Sequence, residues 1–324
     1  MGSGIINQHI FESSSRRFLI ISVLCKRLEA LGIKYISDSG SDITFCCNAC
    51  KKESTATITV LRHRFKHHLQ ICSKCNPSIS FPEKTILKFV SEITNTEIIP
   101  NDRKQLGDME LDIYLPKHNL AFEFNGLYWH SEAFKPKCYH KLKTEYADKR
   151  GIHLIHIWED DWRDKTETVK SYIRNLLLEN KNRVYAKECV LSKISKSDAE
   201  EFFRRNSLGN DLKADVCYGL FKGELISIMC FRKISEGVYN LVYFCNDLNT
   251  GVVGGYKKMF AEFVKEYSPE KIYSNASRDW FKKNDLDYKL LGFKFTKYIK
   301  EKSIKKIGLN KVWNSGCLHF EWSK

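Results

Sequence analysis

Apolar residues change period several times along this chain, and each change marks an element. Residues 14–31 follow an amphipathic helical pattern closed by Gly32. Pro82 opens a second helix, with Ile86, Leu87, Phe89, Val90 and Ile93 along one stripe. The period then drops to two. Leu111, Ile113 and Leu115 alternate with Asp112 and Tyr114, and Leu120, Phe122 and Phe124 alternate with Ala121, Glu123 and Asn125. This predicts two paired strands that set acids on one face. Residues 139–150 return to a helix closed by Gly151, residues 152–158 read as a strand, and a helix spans roughly 164–179.

From Val184 the texture changes. The pattern predicts a strand over 184–194, a helix over 199–205 and a hairpin of 215–221 with 224–232 around Lys222-Gly223. A strand over 239–245, a Gly-rich opening at Gly251–Gly255 into a helix ending at Tyr267, and a strand over 271–275 follow. Tyr288–Phe295 ends the regular part. The order implies an α/β (α+β multidomain) protein with soft limits near 80 and 181.

Composition narrows the class. The chain has 324 residues, 43% hydrophobic and 28% charged, ordinary for a soluble multidomain protein. No apolar run approaches the roughly 18 residues of a membrane span, so no membrane partner is expected. No secretory leader pattern stands at the start, which points to a cytoplasmic setting. The net charge of +14 is uneven. Residues 1–80 carry 11 basic against 5 acidic side chains, residues 81–180 carry 15 against 17, and residues 181–324 carry 27 against 17. Basic flanks around an acidic centre suit an enzyme that neutralises phosphates and holds cations.

Four of the 12 cysteines cluster as Cys47-Asn-Ala-Cys50 and, after 21 residues, Cys72-Ser-Lys-Cys75. Two CxxC knuckles at this separation read as a four-thiolate structural Zn²⁺ site, with Cys46 as the ambiguity in register. Between them runs Arg62-His63-Arg64-Phe65-Lys66-His67-His68. Arg62, Arg64 and Lys66 are candidate phosphate contacts. A solvated basic face explains them equally well, and either His67 or His68 is an alternative ligand.

The acidic strand pair carries the chemistry. A carboxylate among large apolar neighbours costs free energy unless something binds it. Asp112 and Glu123 are the two carboxylates suited to a divalent cation, Mg²⁺ or Mn²⁺. Such an ion activates water, stabilises a leaving oxyanion and offsets phosphate charge, which phosphodiester hydrolysis requires. Asn125 shares the Glu123 face and reaches a bound water or the phosphate. His130 can protonate the leaving oxygen or orient the water. Glu83 offers a third carboxylate. His140, Lys143 and Glu159 stand open between site and scaffold, while Trp158 and Trp162 read as core.

Residues 83–162 resemble the PD-(D/E)xK nuclease superfamily, specifically its very-short-patch-repair-like branch and the phage EDxHD homing endonucleases. The resemblance rests on an acidic helix, Leu-Asp112 on a strand, Asn125-Gly-Leu-Tyr-Trp-His130, then a helix, Gly151 and an apolar strand ending Ile-Trp158-Glu159-Asp160. It implies a restriction-endonuclease-like mixed-sheet core that cleaves double-stranded DNA. It makes Asp112 the metal-binding Asp, His130 the histidine near the phosphate and Glu83 the helix acid. Asn125 stands where the broader superfamily has a lysine, and His140 falls where repair-type nucleases have an acid. Glu123 is the carboxylate favoured by the broader superfamily. A phage-type homing nuclease further implies an infected bacterial cell or the host nucleoid as its setting.

The last 140 or so residues resemble an N-acetyltransferase-like (GNAT) fold. Val252-Val-Gly-Gly-Tyr sits where that fold cradles a pyrophosphate, with Thr250 or Gly251 in place of the usual Arg or Gln. The basic charge of this region favours DNA contact, with Arg204, Arg205, Arg232, Lys233, Lys257, Lys258, Arg278, Lys282 and Lys283 as candidates. The sequence thus predicts a zinc-ribbon-like module over 1–80, a nuclease domain over 81–180 and a GNAT-like domain over 181–324. A metal-dependent DNA endonuclease is the leading function. A DNA-binding protein with an inactive nuclease core and an N-acetyltransferase are the alternatives.

Overall fold

The computed structural model describes residues 19–48, 50–66, 71–72, 81–107, 109–177, 182–209 and 211–324. The chain divides into two compact units, Met1–Ser80 and Phe81–Lys324. The expected limit near 181 therefore falls inside the second unit, next to residues 178–181, which lie outside the described ones.

In the first unit, residues 19–30 form helix α1. Gly32 takes a φ of 69°, and its N–H caps the Glu29 carbonyl at 2.8 Å. A left-handed residue there is what a glycine supplies at a helix C-terminus. Strands β1 (Lys34–Asp38), β2 (Asp42–Cys46) and β3 (Glu53–Thr57) form an antiparallel meander, followed by helix α2 (Ile58–Lys66). Leu24 and Leu28 of α1, Ile43 and Phe45 of β2, and Leu61 and Phe65 of α2 make one core.

The second unit opens with helix α3 (Phe81–Ile93), then β4 (Ile99–Leu106), β5 (Met109–Leu115) and β6 (Leu120–Asn125). Helix α4 (Tyr139–Lys149) leads to β7 (His153–Trp158), and helices α5 (Glu159–Asp164) and α6 (Thr166–Leu176) follow. The sheet order is β4-β5-β6-β7, with β6 and β7 parallel and the others antiparallel. All six residues of β6 are buried, because helices cover both sheet faces. Ile86, Val90, Val169 and Ile173 pack with Ile113, Phe122, Ile155 and Ile157, while Ala147 of α4 packs with Tyr114, Ala121 and Leu154.

The rest runs β8 (Asn182–Tyr185), β9 (Val190–Lys193), α7 (Lys196–Asn206), β10 (Val216–Lys222), β11 (Glu224–Ser235), β12 (Val238–Asn246) and β13 (Thr250–Val253). Helix α8 (Gly255–Tyr267), β14 (Lys271–Ser277), α9 (Leu286–Leu290), β15 (Lys294–Ile299), β16 (Ser303–Ile307), β17 (Asn310–Trp313) and β18 (Cys317–Ser323) complete it. Seven strands form one sheet in the order β15-β18-β14-β12-β11-β10-β9. Its parallel pair is β12 with β14, joined through α8. Phe202 and Phe203 of α7 pack against Cys217, Ile228 and Cys230 on one face; Met259 and Phe263 of α8 pack against Leu220, Met229 and Phe231 on the other.

Two expectations about this region are corrected. Residues 184–194 are not one strand: β8 pairs in parallel with β13, a short 3₁₀ turn follows, and β9 joins the large sheet. Regular structure also does not stop at Phe295, since β18 lies between β14 and β15 with Leu318 and Phe320 buried.

The two sheets are tied together within the second unit. The corner after β14 covers the exposed edge of β7, where the His156 N–H donates to the Asp279 carbonyl at 3.0 Å. Asp279 also accepts from Trp158 Nε1 at 3.1 Å and from the Ser315 N–H at 3.0 Å.

Candidate active site

Helix α4 and strands β6 and β7 meet through a polar seam. Glu123 and Asn125, two residues apart on β6, turn to one side. The buried positions of α4 are His140, Lys143, Thr144 and Ala147, a single helical stripe of which three members are polar. The stripe of the helix thus matches the stripe of the strand.

Lys143 is only 2% exposed and pairs with Glu123 Oε1. Asp112 lies one residue beyond the Ile113–Phe122 register, alongside Glu123, and accepts the Phe124 N–H at 2.8 Å. Burial, then the Glu123 charge, pushes the Asp112 carboxyl well above its ordinary range, with Lys143 opposing. Burial likewise raises Glu123 against the pull of Lys143. Glu83 at the start of α3 adds to both shifts, so its charge reaches the pair.

A relay of neutral side chains flanks the acids. The Thr144 hydroxyl donates to the His140 carbonyl at 2.9 Å and accepts from His156 Nε2 at 2.9 Å. His156 Nδ1 then accepts the Asn125 amide N–H at 3.1 Å. Ser315 Oγ stands 3.2 Å from the same Thr144 hydroxyl. In this arrangement Glu123 Oε2 and Asn125 Oδ1 are buried with no hydrogen-bond partner among the described residues. Two buried acceptor oxygens on one strand face, beside a second carboxylate, fit a hard divalent cation that keeps water in its remaining positions.

His130 follows the turn that begins at Gly126, where Glu159 accepts the Leu127 N–H at 2.8 Å. His130 Nδ1 lies 2.9 Å from His140 Nε2 with the rings stacked, so one of the two nitrogens donates to the other. The bond occupies Nδ1 of His130 and leaves its Nε2 free of that contact. Burial, followed by the Lys143 charge, lowers His130 to about 4. Burial and the neighbouring His130 lower His140 to about 3. Both rings are neutral at pH 7.

Glu83, Asp112, Glu123, Asn125, His130 and His140 thus belong to one neighbourhood. Sequence reasoning left Lys143 open between site and scaffold and missed Thr144, His156 and Ser315. Polar residues on the inward stripe of a helix were the available signal for Lys143 and Thr144. Ser315 carried none, because its approach depends on a contact 171 residues apart.

In the first unit, sulfur atoms of Cys47, Cys50 and Cys72 gather within 4.8 Å of one another. The Cys50 and Cys72 sulfurs are 3.8 Å apart. Tetrahedral Zn²⁺ with bonds of about 2.3 Å separates its sulfurs by about that much. Cys47 rather than Cys46 joins this group, and Cys75, His67 and His68 lie outside the described residues.

Several expected DNA contacts are corrected. Arg278 is 2% exposed, pairs with Asp148 at 3.1 Å and Glu145 at 3.6 Å, and lies over the Tyr298 ring. Arg64 is buried and donates to the Ile71 carbonyl at 3.2 Å. Lys258 Nζ is engaged by the Ala186 and Cys189 carbonyls. Arg278 is sealed against two carboxylates, and the donors of Arg64 and Lys258 are turned to backbone carbonyls rather than outward. Arg62, Lys66, Arg204, Arg205, Arg232, Lys233, Lys257, Lys282 and Lys283 are exposed, with Lys233 paired to Glu236.

The buried histidines set a pH dependence. His130, His140 and His153 (itself lowered to about 4) bind protons less readily folded than unfolded, so their stabilisation is full above about pH 6.5 and is lost as pH falls toward 4. The raised Asp112 and Glu123 act in the reverse sense, gaining stability as pH falls. Urea unfolding at pH 7 and pH 5 is expected to show a loss of about 1–2 kcal/mol per histidine, offset in part by the acids. The loss is steeper in Asp112→Asn, where the offset is reduced; equal stabilities at both pH values would contradict neutral burial.

No family model and no curated protein matches the chain. Among solved structures it is similar over part of its length to acetyltransferases. One, from Bacillus subtilis in complex with CoA, is 13% identical over 42% of this chain and 99% of the other, with a TM-score of 0.29. A GNAT family acetyltransferase from Elizabethkingia anophelis with acetyl-CoA bound is 11% identical over 42% and 99%, with a TM-score of 0.29. A spermidine/spermine N-acetyltransferase from Vibrio cholerae is 9% identical over 43% and 94%, with a TM-score of 0.33.

Proposed function

We propose that this chain is a metal-dependent endonuclease that hydrolyses phosphodiester bonds in duplex DNA, of the site-specific homing type. One observation carries the hydrolytic reading: Asp112, partly buried, lies beside the buried Glu123–Lys143 pair, and Glu123 Oε2 and Asn125 Oδ1 have no hydrogen-bond partner among the described residues. Asp112 and Glu123 would hold Mg²⁺ or Mn²⁺, with Asn125 touching the ion's water or the phosphate. The bound ion supplies charge neutralisation and an acidified water. His130 Nε2 takes the proton from the attacking water, and His140, bonded to Nδ1, orients the imidazole. Lys143 occupies the role for which the strand offers Asn125 in place of lysine. Its ammonium reaches the acids from α4 and stabilises charge on the phosphoryl oxygens.

Asp112→Ala is expected to abolish Mg²⁺-dependent cleavage of duplex DNA while binding persists. Lys143→Met is expected to lower kcat by about 10²–10³-fold, the usual loss for a preorganised charge. Gel assays over a library of duplexes check both. Full activity in Asp112→Ala overturns the assignment. Salt-sensitive binding with no cleavage in any divalent cation marks a DNA-binding protein with an inactive core.

The cysteine group supports a second proposal, a structural Zn²⁺ held by Cys47, Cys50, Cys72 and Cys75. Metal analysis is expected to find about one zinc per chain. Cys72→Ser lowers the melting temperature before it alters cleavage; a metal-free protein of unchanged stability rejects the site.

An N-acetyltransferase reading draws on the parallel strands β12 and β14, which pair from Val238 to Leu241 and then part ahead of the Gly254-Gly255 approach to α8. Against it, the segment before α8 is already paired with β8, and Lys258 is engaged by backbone carbonyls. Calorimetric titration with acetyl-CoA is expected to give no binding heat; saturable binding would favour this reading.

A further inference from the structure

The β16–β17 hairpin is a charged structure beside the candidate site that the chemistry above leaves unused. From Lys302 to Trp313 it carries Lys302, Lys305, Lys306 and Lys311 and no acidic residue. Its base is fixed. Val312 bridges Ser131, the Glu132 N–H donates to the Lys311 carbonyl at 2.8 Å, and Glu132 accepts from the Lys311 N–H at 3.0 Å and Trp313 Nε1 at 3.1 Å. Val312 also packs with Leu127 and Trp158. Those contacts seat the hairpin against the turn that ends in His130.

Its tip is different. Gly308 turns the chain with a φ of 60°, and Leu309 is 97% exposed. Lys302, Lys305 and Lys306 are exposed as well, Lys305 being paired with Asp160 at the edge of the core. A ribbon braced at its base and presenting basic flanks with an apolar tip has the dimensions and charge of a groove reader. The major groove of B-form DNA admits a two-stranded β-ribbon, and its phosphates line both sides.

We propose that the β16–β17 hairpin enters the major groove of duplex DNA next to the phosphate presented to His130, with Lys302 and Lys306 on the flanking phosphates and Leu309 against base edges. This rests on the duplex-DNA reading and adds to it the element that sets where on the duplex the site is placed. The hairpin fits duplex rather than single-stranded nucleic acid, because its charges flank a narrow ribbon instead of lining a stacking channel.

The test uses the full chain, mixed-sequence duplex DNA and Ca²⁺ in place of Mg²⁺, so that binding is read without cleavage. In fluorescence anisotropy across a salt series, Lys302→Ala/Lys306→Ala should weaken binding about tenfold or more. It should also make the log Kd against log salt slope shallower by nearly 2, about 0.9 for each phosphate contact. Leu309→Gly should weaken binding with the slope unchanged, and Lys187→Ala, exposed elsewhere, should match wild type. Circular dichroism confirms that these surface variants fold. Wild-type affinity and slope in the double variant would overturn the hairpin proposal and leave the nuclease reading standing. Arm-dependent binding without any Mg²⁺-supported cleavage would support the hairpin and overturn the nuclease reading alone. Tighter binding to single strands than to duplex would overturn the groove assignment.

Discussion

The second unit is organised around a lysine that has no water. Lys143 is carried inward on α4 and meets Glu123 on the fully buried strand β6, with Asp112 beside it. Taking an ammonium and two carboxylates out of water costs several kcal/mol each unless geometry compensates. The compensation here is a matched pair of polar stripes, one on the helix and one on the strands, each position of which must stay in register. Replacing them with hydrophobic residues would give a sheet and helix that pack at least as well. What the charged arrangement adds is two carboxylates of raised pKa that remain available to a cation, and a positive charge that acts on His130 and His140 as well as on the acids.

The same constraint explains why the acidic core and the seven-stranded sheet lie in one compact unit. The site is closed on its far side by residues of the C-terminal region: Ser315 stands beside Thr144, and Asp279 secures Trp158 and the Ser315 backbone. Each partner satisfies a polar group that burial would otherwise leave unpaired. Arg278 belongs to this joint as well. Its guanidinium, buried over Tyr298, neutralises the Asp148 and Glu145 carboxylates on α4 and so couples the end of β14 to the helix that carries Lys143.

Function at such a site would follow from an asymmetry in protonation. Burial raises the acids and lowers the histidines, so both classes move toward their neutral forms. A cation reverses this for the acids, since it repays their desolvation directly, but it does nothing to restore a proton to His130. A neutral histidine beside a carboxylate pair is an arrangement from which water activation could be built if a cation were bound.

Period alone identified α3, β5, β6, α4, β7 and α8, because their burial follows from local alternation and stripe. The paired CxxC motifs and the acids at 112 and 123 were equally legible, since a charged or thiol side chain in an apolar setting is conspicuous in one dimension. The short strands of the first unit, Lys34–Asp38 and Glu53–Thr57, were not, because few of their side chains are buried and alternation there is faint. Nor were β16 to β18, whose place depends on β14 and on the His130 turn. Lysines and arginines were the least legible residues: Arg278 and Lys257 look alike in sequence, yet one is sealed against two carboxylates and the other meets solvent. Sequence by itself determined which side chains had chemistry to offer and where the strongly periodic helices and strands would lie. Tertiary structure alone decided which charges were spent internally, and that Lys143 of α4 meets Glu123 of β6, because a buried charge is defined by what surrounds it.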